Sequence, residues 1–264
     1  MPCDEQKNIF LSIVIPVFND EWILSETVGE LNEYLIKNRN SIEIIFVNDN
    51  SIDTSLEIIK NKFCKNQYEH ITIINNKARK GKALCVRDGI MAAKGKYILF
   101  MDADLSVPIK EINKILQYIE DDADIIIGVR NEKDKSTIIV RPLYRKLISK
   151  IYNIISNLLF FRNKIIDVGC GFKTFKKEIV PFLFSNLYIK SWIFDTEVLF
   201  KAFKNNYKIK QISVDWIFKG YSHLNIYKDL PVAFYDLLKL KLFMIKKTNK
   251  IDYENWNGGL EFLS

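Results

Sequence analysis

Five short apolar runs, each parted from the next by a segment of helical period, order the first half of the chain. They are LSIVIPV (11–17), IEIIFV (42–47), ITIIN (71–75), YILFM (97–101) and DIIIGV (124–129). Rich in β-branched residues and without polar alternation, they fit strands covered on both faces. Between the first two, Ile23, Leu24, Val28, Leu31 and Leu35 recur at helical spacing across residues 20–37. Helices are also expected over 54–63, 82–93 and 108–120. Strands that alternate with helices form right-handed β-α-β units, and their sheet is parallel with helices on both sides. The expected class is α/β, a Rossmann-like, mostly parallel sheet.

In such sheets ligands gather at the carboxyl ends of the strands. The residues at those ends are polar here: Pro16-Val17-Phe18-Asn19-Asp20, Asn48-Asp49-Asn50-Ser51, Lys77 to Lys82 (KARKGK), and Asp102-Ala103-Asp104. Asn, Asp and Ser also cap helices and form turns, which accounts equally well for Asn19 or Ser51. The basic cluster also reads as a solvated loop. Asp102 and Asp104 are different, because two carboxylates one residue apart repel each other. A hard divalent cation with a preference for oxygen ligands relieves that repulsion. No G-x-G-x-x-G and no G-x-x-x-x-G-K-[ST] occurs, so dinucleotide and P-loop sites do not fit.

At 264 residues, 48% hydrophobic and 27% charged, the chain has the composition of a globular α/β domain. Its longest stretches without charge run to a dozen residues, whereas a membrane-spanning helix needs about 20 apolar ones. The N-terminal MPCDEQKN has no apolar core of a signal peptide, so a cytoplasmic location is expected. Cys3, Cys64, Cys85 and Cys170 lie far apart, which argues against a zinc site or a disulfide framework. A net charge of +7 points to an anionic partner.

LSIVIPVFND, VNDNS, RKGKA and FMDADLSVP, in this order at strand ends, resemble the family-2 glycosyltransferases with a GT-A fold. The resemblance covers residues 10–225. It implies a nucleotide-sugar donor and a D-x-D pair holding Mg2+ or Mn2+ against the diphosphate. By motif match, Pro16, Val17, Phe18 and Asn19 would line the nucleoside and Asp49 would bind the base. Lys80 and Gly81 would sit near the diphosphate. Asp102 would face ribose and metal, and Asp104 would be the main metal ligand. Asn48 and Asn50 stand where the family often has Asp and Gly.

In the second half, IDVGCGFKT (166–174), WIFDTE (192–197) and VDWIFKGYSHL (214–224) are similar to the dolichyl-phosphate glucosyltransferase group. That similarity implies glucose transfer from UDP-glucose to a polyprenyl phosphate. Asp195 matches the catalytic carboxylate of inverting members, and Asp167 is a second carboxylate that relatives place at the active site. Ser222 and His223 fall where a late residue reaches metal or diphosphate, although the usual residue there is Lys. Arg130, Arg141, Arg145 and Ser149 match positions that bind the acceptor phosphate.

Residues 141–164 hold six basic and no acidic residues among leucines, isoleucines and phenylalanines. Such a basic amphipathic helix suits an anionic membrane surface. Residues 230–247 likewise alternate Lys239, Lys241, Lys246 and Lys247 with apolar residues; packing on the sheet or at a homodimer seam is the alternative for both stretches, with membrane contact preferred for at least one. Nucleic acid is not expected, because the aromatics sit among aliphatics and form no stacking groove. The expected organisation is a GT-A domain over 1–225, with a nucleotide half (10–130) and an acceptor half (131–225). A membrane- or dimer-contact helix (226–250) and a tail (251–264) follow. The expected protein is peripheral on the cytosolic face of a membrane. Two rivals remain: a transferase that extends a lipid-linked saccharide at a hydroxyl, and a non-catalytic nucleotide-binding adaptor. A nucleotidylyltransferase would need a Gly-rich loop where PVFND stands.

Overall fold

The computed structural model describes residues 9–37, 41–63, 70–119, 122–220, 223 and 226–249. The five apolar runs form β1 (Leu11–Val17), β2 (Ile42–Asn48), β3 (Ile71–Asn75), β4 (Tyr97–Met101) and β5 (Ile125–Val129). The intervening helices are α1 (Glu21–Lys37), α2 (Ser55–Phe63), α3 (Lys82–Ala92) and α4 (Ile112–Tyr118). A single 3-10 turn, Ile109–Glu111, leads into α4 in place of a continuous helix from 108.

After β5 come β6 (Ile139–Val140), α5 (Leu143–Ser156) and a π-helical turn at Asn157–Phe161. The chain continues through β7 (Phe172–Lys176), α6 (Val180–Phe184), α7 (Phe194–Lys204), β8 (Ile209–Ser213), β9 (Trp216–Ile217) and α8 (Ile226–Asn249). The seven-stranded sheet runs β3-β2-β1-β4-β7-β5-β8, and β6 pairs with β9 in a separate ribbon. All pairings are parallel except those of β7, which lies antiparallel between β4 and β5.

Alternation along the strands divides the core in two. On β1, Leu11, Ile13, Ile15 and Val17 join the cluster under α1, α2 and α4, whereas Val14 joins the one under α3, α6 and α7. Ala233, Leu237, Leu240 and Met244 of α8 belong to that second cluster, so α8 is packed into the core on one side. Its other side exposes Phe234, Tyr235, Leu238, Leu242 and Ile245. On α5 an outward stripe of Leu143, Leu147, Ile151 and Ile154, continued by Leu158, is exposed, with Leu143 at 82% and Leu158 at 71%. Among the described residues no helix is long and apolar enough to cross a membrane. Both faces of the sheet are covered, and its polar strand ends open at one edge.

Candidate active site

The loops at those strand ends enclose a cleft of about 520 Å³. Of the residues singled out in the sequence, Pro16, Val17, Phe18, Asp49, Gly81, Asp102, Asp104, Arg130, Arg141, Arg145, Ser149, Asp195 and His223 line it. Asn19, Lys80 and Asp167 do not.

Asn19, in the left-handed region at φ 51°, ties the first loop to the second. Its N–H donates to Ser51 Oγ at 3.0 Å, and its Oδ1 accepts from the Ile52 N–H at 2.9 Å. Asp49 anchors the third loop, accepting the Lys80 N–H at 2.7 Å and the Gly81 N–H at 2.8 Å on separate oxygens. Gly81 has φ +88°, a conformation that glycine adopts without strain. The Lys80 ammonium turns outward to Asp88 at 2.8 Å. Lys82 turns inward instead, with its Nζ 2.6 Å from Asp102 Oδ1. Burial alone would lower the Lys82 pKa, but the charge and hydrogen bond of Asp102, with the charges of Asp195 and Asp104, together outweigh it and the net direction is up. The Arg79 guanidinium lies 4.0 Å from the Phe18 ring centroid, within cation–π range.

After β4, Asp104 accepts the Ser106 N–H at 2.9 Å and the Ser106 hydroxyl at 2.8 Å. Leu105 between them holds φ 46°, a left-handed value uncommon for leucine. Burial first, and the neighbouring Asp102 charge second, push the Asp104 carboxyl above its ordinary pKa. A Cβ added to Gly171 would fall 2.1 Å from Asp102 Oδ2, so the carboxylate occupies room that only glycine leaves. Two cleft-lining carboxylates, all oxygen donors and one of them resisting ionisation, fit a hard divalent cation. Among the described residues no three His, Cys, Asp or Glu side chains converge as a ready-made metal cage. His223 Nε2 lies 2.9 Å from Asp20 Oδ1, which clasps the late loop to the first one. Ser222 lies outside the described residues.

On the other flank, Arg130 ends β5. Its Nε and Nη2 donate to Asp167 Oδ2 and Oδ1 at 2.6 and 2.7 Å, a bidentate pair. Burial would raise the Asp167 carboxyl, but the guanidinium overrides it and holds the group well below the usual carboxylate range. Asn153 donates to Asp167 Oδ1 at 3.3 Å. Asp167 therefore lies under Arg130 rather than in the cleft wall. Arg141 pairs with Glu132 at 3.1 Å. Arg145 sits one helical turn before Ser149, with its guanidinium 4.6 Å from the Phe218 ring centroid. Among the described residues its buried Nε has no hydrogen-bond partner.

Asp195 occupies the first turn of α7 and lines the cleft. Burial raises its carboxyl pKa against the opposing charges of Lys173 and then Lys82. Lys82, Arg79, Lys173 and Trp192 carry no role in the sequence reading. For Lys82 the signal was present in RKGK, but sequence alone does not say which lysine turns inward. Trp192 lines the cleft with a buried Nε1–H that has no acceptor among the described residues.

The model of glycosyl transferase family 2 matches residues 12–183. The dolichyl-phosphate beta-glucosyltransferase of Dictyostelium discoideum is 32% identical over 219 residues, covering 79% of this chain and 67% of its own length. The Saccharomyces cerevisiae protein of the same name is 30% identical over 232 residues, covering 80% and 68%. A mannosyltransferase from Pyrobaculum calidifontis, solved with GDP-Man and Mn2+, has a TM-score of 0.61 at 14% identity, covering 91% of this chain and 65% of its own. Glucosyl-3-phosphoglycerate synthase from Mycobacterium tuberculosis, solved with UDP, gives 0.61 at 13%, covering 89% and 79%. The chain belongs to glycosyl transferase family 2, and its fold is of the GT-A kind.

Proposed function

We propose that this protein transfers glucose from UDP-glucose to the phosphate of a polyprenyl, dolichyl-type lipid, working peripherally on the cytosolic face of a membrane. The observation that carries the reading is Arg145, whose buried Nε is unpartnered in the cleft that also holds Asp102 and Asp104. An unfilled guanidinium donor beside Arg130 and Arg141 suits a phosphate monoester. The names of the curated relatives support the same donor sugar and acceptor.

Pro16, Val17 and Phe18 would flank the nucleoside, with Arg79 stacked behind Phe18. Asp49 would reach the base while holding the third loop in place. Lys82, rather than Lys80, is assigned to the diphosphate. Asp104 and Asp102 would hold Mg2+ or Mn2+, which when bound supplies positive charge that stabilises the leaving nucleoside diphosphate. The anomeric carbon of UDP-glucose is α-linked and the relatives are named for β products, so one displacement with inversion is inferred. A phosphate monoester has a second pKa of about 6 and is largely dianionic at neutral pH, so its oxygen attacks without full proton removal. Arg130, Arg141, Arg145 and Ser149 would hold that phosphate. Asp167 keeps Arg130 in position, and Asp195 stands beside the attacking oxygen. The exposed stripes of α5 and α8, carrying basic residues, would rest on anionic lipid.

A hydroxyl acceptor is the second reading, favoured by the raised carboxyl pKa of Asp195, which suits a general base. Parallel incubations with labelled UDP-glucose, one with polyprenyl phosphate and one with a hydroxyl-terminated lipid-linked saccharide, separate the two. Label on the lipid phosphate, β-linked by NMR, is expected. Label only on the saccharide would replace the first reading with the second.

A further inference from the structure

Lys173 places an ammonium in the middle of the sheet, where packing alone asks for an aliphatic side chain. On β7 it lies between Phe100 of β4 and Ile127 of β5, and it is fully buried. Taking such a charge out of water costs several kcal/mol, and an apolar residue of similar volume is commonly neutral or stabilising there. Its Nζ donates to the Cys170 carbonyl at 2.5 Å and lies 3.3 Å from Asp195 Oδ1. Among the described residues it pairs with no other carboxylate. Asp195 Oδ2 makes no hydrogen bond to any described residue, and the side chain lines the cleft. One oxygen of the carboxylate is thus tethered from within the sheet, and the other is left for whatever enters the cleft.

From this geometry we infer that Lys173 is a positioning residue for Asp195, fixing Oδ1 so that Oδ2 is presented to the acceptor as part of a carboxylate anion. The inference rests on the reading above, in which Asp195 stands beside the attacking group. Asp195 feels charges from each element packed around it. Lys82 of α3 and Lys173 of β7 favour its ionised form, and Asp102 after β4 opposes it. Tyr152 of α5 is a further titratable neighbour, its hydroxyl 2.6 Å from Thr196 Oγ1. Of the two cations, only Lys173 touches the carboxylate. Lys82 is committed to Asp102.

The test is a titration of the Asp195 carboxyl carbon by 13C NMR, with its signal assigned by its loss in Asp195→Asn. In Lys173→Met the midpoint is expected to rise by about one pH unit or more, since a cation at this distance is worth that much. In Lys173→Arg it is expected to stay near the wild-type value. Lys173→Gln gives the same comparison if the Met variant does not fold. An unchanged midpoint in the uncharged variant would overturn the proposal, whether or not glucosyl transfer is observed.

The ratio of kcat/KM between Lys173→Met and wild type removes the acceptor's own ionisation. It is expected to fall as the pH is lowered through the Asp195 midpoint found in the titration, and to be flat in an Asp195→Asn background. A ratio flat in both backgrounds would reduce Lys173 to a packing residue. Absence of transfer by the wild-type protein would discard the functional reading, and the titration would still decide the role of Lys173.

Discussion

At Asp102 the site depends on an atom that its neighbour lacks. The Cβ of an alanine at Gly171 would fall 2.1 Å from Asp102 Oδ2, so Gly171→Ala is expected to displace the carboxylate. A shift of about 1 Å in such a group costs about a hundredfold in rate. Steady-state transfer should show that loss while the melting temperature moves little. Asp167 behaves differently, because its depressed pKa, held down by Arg130, ties it to folding. A lowered carboxylate contributes stability that is fully present above its unfolded value of about 4 and drains away as pH falls below it. Asp167→Ala leaves the buried Arg130 uncompensated and is expected to cost about 3–5 kcal/mol in urea unfolding at pH 7. The difference from wild type should shrink at pH 3. An unaltered urea midpoint at pH 7 would contradict this pairing. Asp102 and Asp104 were legible in the sequence as paired carboxylates at a strand end, and Asp195 through the resemblance carried by WIFDTE. The partners of Asp102 and Asp195 were not, since Lys82 and Lys173 reach them only through the fold.

The elements divide along the same line. β1 to β5 and the helices between them were readable because short apolar runs alternate with segments of helical period. β7 was not, because buried Lys173 and Thr174 interrupt its hydrophobic run and its direction opposes its neighbours. Its antiparallel insertion brings Gly171 against Asp102 and Lys173 against Asp195, contacts that a wholly parallel sheet would not make. α5 was legible as a basic amphipathic helix, and the structure leaves Leu143, Leu147, Ile151 and Ile154 uncovered. Replacing Leu147 and Leu158 with Glu is expected to lower partition onto anionic vesicles about tenfold or more, as each buried leucine is worth about 2 kcal/mol. UDP affinity in the same variant should be unaltered. Unchanged vesicle binding would remove α5 from the membrane contact.

On the scale of the whole molecule, the cleft is shared between the two halves of the chain. Residues 16–104 contribute the loops assigned to nucleotide and metal, and residues 130–232 contribute the arginines, Asp195 and the clasp of His223 on Asp20. Asp195 and His223 lie beyond residues 12–183, the stretch that the family model matches. The two hydrophobic clusters hold both halves on one sheet. The most direct test follows label from UDP-[14C]glucose into the organic phase, with polyprenyl phosphate, Mg2+ or Mn2+, and Asp104→Ala beside the wild type. The account predicts lipid-soluble label that requires both the cation and Asp104. No transfer of label by the folded wild-type protein, or transfer undiminished in Asp104→Ala, would contradict it.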